Sequence, residues 1–255
     1  MNTYVITPAA GKRLMGKATA AHPAVQAALA SGTVVIVAGT TNGYVAEEIL
    51  AARGQGGGFT RRGFARGMTL PPSRPAAVAG APSGASQFAG DVVLTDGIWQ
   101  KGKTVFDVAD SLTEGDIVLK GANALDVSRR RAAVLIGHAK GGTVAAVLQA
   151  VVGRRVRLIL PVGLEKRVSD DLDELAAVVN APGGQGPRLW PVPGEVLTEI
   201  EAIALLTGAR ARLVAGGGVC GAEGCVWLAV TGTVEEERLA HDLLRQVSTE
   251  PPFTL

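Results

Sequence analysis

The amino-acid sequence predicts an α/β protein: a mostly parallel, doubly wound sheet followed by a second, smaller α+β domain. Short aliphatic runs alternate with helical patterns between residues 33 and 180, the rhythm of a parallel sheet covered by helices on both faces. Apolar residues make up 47% of the chain, with only three Trp, two Tyr and five Phe beside 34 glycines. The core must therefore be built from Ala, Val, Leu and Ile, and the turns must be tight. After the Gly/Pro-rich boundary APGGQGP (181–187) the order becomes β-α-β-β-α, in which both helices cover one face of an antiparallel sheet. The predicted domains are 1–183 and 187–255.

In chain order, residues 11–31 carry small and apolar residues at helical spacing, and Pro23 opens a second short helix. TVVIVAGTTNGYVAEEIL (33–50) reads as strand, tight turn and helix. Gly39, Thr40, Thr41, Asn42 and Gly43 lie at the positive end of that helix dipole, suited to a phosphate or carboxylate or to plain capping of the helix. From Arg53 to Gln87 the periodicity stops, and Gly, Pro, Ser and Arg predominate. A loop this long reads as a mobile lid over an anionic ligand or as a solvated or oligomer-contact segment. Arg53, Arg61, Arg62 and Arg66 interleaved with Phe59 and Phe64 have the composition of single-strand binders. A single such block in a chain of net charge +2 argues against nucleic acid. Pattern resumes with strands at 91–97, 116–121, 132–136 and 156–163, and with helices including one over 169–180. Beyond the boundary, RLWPV is a strand, PGEVLTEIEAIALL a helix, ARARLVAGG and CVWLAVTG strands, and VEEERLAHDLLRQV a helix.

In an open parallel sheet, ligands bind at the carboxyl ends of the strands. The turns at 39–43, 121–126 and 137–143 are therefore expected to line one crevice. There Lys140, with Gly141, Gly142 and Thr143, would bind an anion; Asn123 would add a polar contact; and His138 or Asp126 would handle protons. Glu195, Glu199 and Glu201 read as members of one helix, solvated or paired with its dipole. Cys220 and Cys225 form neither a metal quartet nor a redox pair, and we expect neither a metal nor a cofactor. No apolar run approaches the ~18 residues of a membrane helix, and the first residues lack a secretory pattern. The expectation is a cytoplasmic homo-oligomer with no membrane partner.

These stations together resemble ribose-5-phosphate isomerase A, in the superfamily that includes glucosamine-6-phosphate deaminase and CoA-transferases. Gly39-Thr40-Thr41-Asn42-Gly43 stands at its phosphate loop, Lys120-Gly121-Ala122-Asn123-Ala124 at its acidic turn, Lys140-Gly141-Gly142-Thr143 at its glycine turn, and residues 187–247 at its lid. The resemblance implies a Rossmann-like sheet, a ferredoxin-like lid and a phosphorylated or carboxylated small-molecule substrate. Two departures bear on activity. Lys120 and Asn123 stand where the isomerase has carboxylates, and Gln149, nine residues after Lys140, stands where it has its glutamate base. A CoA-transferase-like nucleophile would be Glu165 or Glu223. Two functions follow: an enzyme of isomerase-like or CoA-transferase-like type, or a non-catalytic sensor that binds a small anion.

Overall fold

The computed structural model describes residues 1–70 and 90–254. Its elements run β1 (Asn2–Ile6), α1 (Pro8–Ala21), α2 (Pro23–Ser31), β2 (Thr33–Ile36), α3 (Thr40–Ala52), β3 (Val92–Thr95), β4 (Ile98–Trp99), α4 (Val105–Val108), β5 (Ile117–Leu119), β6 (Ala124–Asp126) and β7 (Arg131–Ile136). They continue through α5 (Gly142–Arg154), β8 (Arg157–Pro161), α6 (Leu172–Val179), β9 (Arg188–Val192), β10 (Glu195–Leu197), α7 (Glu199–Thr207), β11 (Arg210–Gly216), β12 (Val226–Thr231) and α8 (Val234–Ser248).

The protein is a mixed α/β structure built on a six-stranded sheet of order β10-β8-β5-β2-β3-β4. Four neighbours, β10, β8, β5 and β2, are parallel. Their continuous apolar runs, such as Val34–Ile36 and Ile117–Leu119, are buried, as expected of strands covered on both faces. From β2 the chain goes first to β3 on one side and later to β5 on the other, so the topology reverses between β2 and β5. Asn42 bridges that junction. Its Nδ2 donates to the Val37 carbonyl at 2.7 Å and to the Leu119 carbonyl at 2.9 Å.

The pairing departs from the sequence reading in four places. The strand expected over 91–97 runs antiparallel to β2. β7 leaves the main sheet and pairs antiparallel with β6 and β9 in a separate three-stranded sheet. Its apolar run divides between two cores: Ala133 packs with Ala124, Leu172, Ala176 and Leu189 beside α6, while Ala132, Val134 and Ile136 belong to the main core. Residues after 187 are distributed over all three sheets, since β9 joins β7, β10 extends the parallel sheet, and β11 and β12 pair with one another. The third strand of that last sheet is β1, antiparallel to β12, which the polar start of the chain did not suggest. Apolar side chains from β1, β12 and α8 belong to the same core as the main sheet.

The first half of the arginine-rich segment packs onto the body. Phe64 and Ala65 are fully buried, Arg53 donates to the Leu29 carbonyl, and the Gln55 side chain bonds both Gly97 and Trp99. Arg61 pairs with Glu47 and Glu250 over the Tyr44 ring. The lid expectation over 71–87 lies outside the described residues. Among the described residues, no helix is long and apolar enough to cross a membrane.

α1 is the hub of the helical layer and touches α2, α3, α7 and α8. Its inner face is made of small residues, including Ala9, Ala10, Gly11, Gly16 and Ala18. At Gly16 a methyl group would meet the Tyr44 backbone carbonyl at 3.0 Å, so α1 and α3 approach more closely than a side chain permits. We expect Gly16→Ala to lower stability by about 1–2 kcal/mol, because overpacking outweighs the gain in helix propensity. Gly153→Ala in α5, where the new methyl meets nothing, should raise stability by about 0.5–1 kcal/mol. Urea denaturation of the two variants checks the contrast.

Candidate active site

Parallel strands deliver their carboxyl ends to one edge, and the residues that follow each strand form a row across it. After β10 comes Glu199, after β8 come Glu165 and Lys166, after β5 comes Lys120, and after β2 come Gly39 and the start of α3. β3 runs the other way, so the residue preceding it, Asp91, falls at the same edge beside Ile36. Asp91 is buried and accepts from the Ala38 and Val105 amides, both at 2.8 Å, with the Arg66 guanidinium 3.6 Å away. α1 lays Lys12 over the row.

Glu199 is the least expected member. Thr198 and Glu201 form a capping box, which starts α7 at Glu199 and leaves residues 195–197 as strand. Glu195 is therefore not in a helix, and it pairs with Arg157 and His22. Glu199 is 1% exposed. Its Oε2 accepts the Leu164 amide at 2.9 Å, and the other oxygen lies against Gly11, where any side chain would collide with it. Burial, and then the charge of Glu165, push its carboxyl up to about 7. A carboxyl so placed exchanges its proton near neutrality, as a general acid or base requires.

Lys12 and Lys166 act electrostatically with it, and Lys120 lies next along the row, within reach of Lys166. Lys12 Nζ is 3.6 Å from Glu165 Oε1 and donates to the Pro8 carbonyl. Lys166 Nζ donates to the Ala122 carbonyl at 2.7 Å, and burial lowers its pKa even though Glu165 opposes the shift. Lys120 is half-buried. Desolvation, reinforced by Lys166 and opposed by Asp91, brings its ammonium down to about 8. At the far end of the row Gly39 starts α3 with no side-chain cap, so its first-turn amides face the same edge. Asn42 Oδ1 is buried without a hydrogen-bond partner.

Of the residues singled out from sequence, Gly39, Thr40, Thr41, Asn42 and Gly43 stand at this edge, with Gly43 against Arg61. The turn at 137–143 does not join them, because β7 belongs to another sheet. His138 and Lys140 are exposed, and His138 Nδ1 accepts the Lys140 amide. With Gly141, Arg188 and Trp190 they line a surface cleft of about 470 Å³. That cleft is open and is lined by no buried acid or base, in contrast to the strand edge. Gly142 and Thr143 start α5 beside it. Asn123 Oδ1 accepts the Leu135 amide and fastens the β6–β7 hairpin. Asp126 is held by the Ser128 hydroxyl, the Arg129 amide and the Arg129 guanidinium, contacts that bring its carboxyl down to about 2. It is a structural anion and a weak base. Gln149 is exposed on α5 and bonds Asp110. Glu223 is exposed in the β11–β12 connection. Among the described residues no group of three or more His, Cys, Asp or Glu side chains could hold a metal.

No family model, curated protein or solved structure matches the chain.

The raised pKa of Glu199 makes stability depend on pH in a definite sense. Between its ordinary value of 4.5 and about 7 the native state binds a proton that the unfolded state has released. Stability that is full below 4.5 is thus lost as pH rises through 7. Glu199→Gln keeps an acceptor for the Leu164 amide and removes the buried charge. We expect it to be more stable than the parent by about 1–3 kcal/mol at pH 8, with the gain vanishing near pH 5. Urea midpoints at the two pH values measure the difference.

Proposed function

We propose that the protein is an enzyme acting on a phosphorylated or carboxylated small molecule, bound at the carboxyl edge of the parallel strands. The observation that carries this reading is the pairing of a buried, near-neutral carboxyl, Glu199, with the basic set Lys12, Lys120 and Lys166 on one strand edge. The cations and the uncapped start of α3 supply the anion site. Glu199, with Glu165 beside it, supplies proton transfer.

The sequence resemblance to the ribose-5-phosphate isomerase A superfamily, with its Rossmann-like sheet, is consistent with this assignment of roles. Gln149 left that resemblance without a base, and in our reading Glu199 takes the part from a different strand. A sensor needs no group that exchanges a proton at neutral pH, and this favours the enzyme.

Proton abstraction next to a carbonyl can be read directly. Sugar phosphates and 2-oxo acids are incubated with the protein in D2O, and loss of C–H signal is followed by proton NMR. We expect catalysed exchange that falls at least ~100-fold in Glu199→Gln. We also expect a ligand-induced thermal shift that is lost in the Lys12→Ala/Lys166→Ala double variant. A thermal shift with no exchange for any of these compounds would make the protein a binder.

A further inference from the structure

Lys120 differs from the other two lysines of the edge. Lys12 is paired with Glu165, and Lys166 is held by the Ala122 carbonyl. Among the described residues the Lys120 ammonium has neither a hydrogen bond nor an ion pair, although the side chain is half-buried. It follows the last residue of β5, the strand at which the sheet topology reverses, and its backbone amide is fixed to the Ile159 carbonyl at 3.1 Å. That junction is where an open α/β sheet forms its ligand crevice. The neighbouring Asp91 acts on it only from a distance, and the guanidinium paired with Asp91 is that of Arg66. A lysine used as a nucleophile is activated by desolvation and by a second cation, and both act on Lys120.

We propose that Lys120 is a covalent catalytic residue that forms an imine with the aldehyde or ketone carbon of an anionic substrate. This rests on the anion-binding enzyme reading above and narrows the substrate class to compounds carrying both a carbonyl and a phosphate or carboxylate. The free amine adds to the carbonyl carbon, forming the C–N bond as the C–O π bond opens. A proton passes from nitrogen to oxygen, and the carbinolamine then loses water, its oxygen leaving with a second proton. The products are one imine and one water, and hydrolysis reverses the sequence. Glu199 and Glu165, in electrostatic contact with Lys166 of the same cluster, supply the carboxyl that donates and recovers the proton. With its ammonium brought down to about 8 by desolvation, far more of Lys120 is free amine near neutral pH than of an ordinary lysine, ~0.1% at pH 7.5.

The experiment is reductive trapping of the whole protein with borohydride, which delivers hydride to the imine. The probes are pyruvate and glycolaldehyde phosphate, with intact mass and peptide mapping as readout. We expect a single adduct on Lys120, labelled at least ~10-fold faster than any other lysine, with a rate that rises with pH around 8. It should be absent in Lys120→Arg, which keeps the charge. Labelling spread over surface lysines, or no adduct on the peptide containing Lys120, would overturn the proposal, and mapping the parent protein gives that answer even if the variant fails to fold. If trapping fails while anions still shift the melting temperature, the imine is wrong and the anion site stands.

Discussion

The structure depends on the meeting of α1 with the end of β10, where the Glu199 carboxyl lies between Gly11 and the Leu164 amide. A buried carboxyl is costly unless it is hydrogen-bonded or neutralised. Here one oxygen takes an amide, the group holds its proton to near neutrality, and Lys12 is one helical position away from Gly11. Glycine at position 11 leaves the space that this carboxyl occupies, and glycine at position 16 lets α1 lie close against Tyr44. The first contact packs α1 on the start of α7, and the second packs α1 on α3.

The surroundings of α1 hold it in that place. Arg13, next to Lys12, is mostly buried and is gripped by Glu47 and Glu48 of α3 and by Glu250 after α8. Arg61 reaches Glu47 and Glu250 from the segment after α3, and both guanidinium groups lie over the Tyr44 ring. This network ties α3, the segment after it and Glu250 after α8 to α1, which covers the strand edge. Partly buried Arg–carboxylate contacts of this kind fix geometry more than they add stability. Lys12 is thereby held in position, whereas the Lys120 ammonium has no hydrogen bond or ion pair among the described residues.

Much of the parallel sheet was legible because strands buried on both faces appear as unbroken apolar runs, as at Val34–Ile36, Ile117–Leu119 and Leu158–Leu160. The run Ala132–Ile136 looks the same, but apolarity says nothing about which sheet a strand joins, and β7 went to the hairpin fastened by Asn123. That one misplacement moved His138 and Lys140 away from the expected crevice, while Gly39–Gly43 and Lys120 stayed at the edge. Glu199 carried a readable signal, since the Thr198–Glu201 capping box places the helix start at residue 199 and hence a strand end just before it. Lys12 carried none, because a lysine on an amphipathic helix is ordinarily a solvated one.

The proton held by Glu199 is central to this edge of the sheet. Titration of 13C-labelled glutamate carboxyls by NMR observes that proton directly, with Glu199→Gln assigning the resonance. One glutamate should titrate with a midpoint near 7 and be absent from the variant spectrum. Midpoints of ~4–5 for every glutamate carboxyl, or a near-neutral midpoint that persists in the variant, would contradict this assignment.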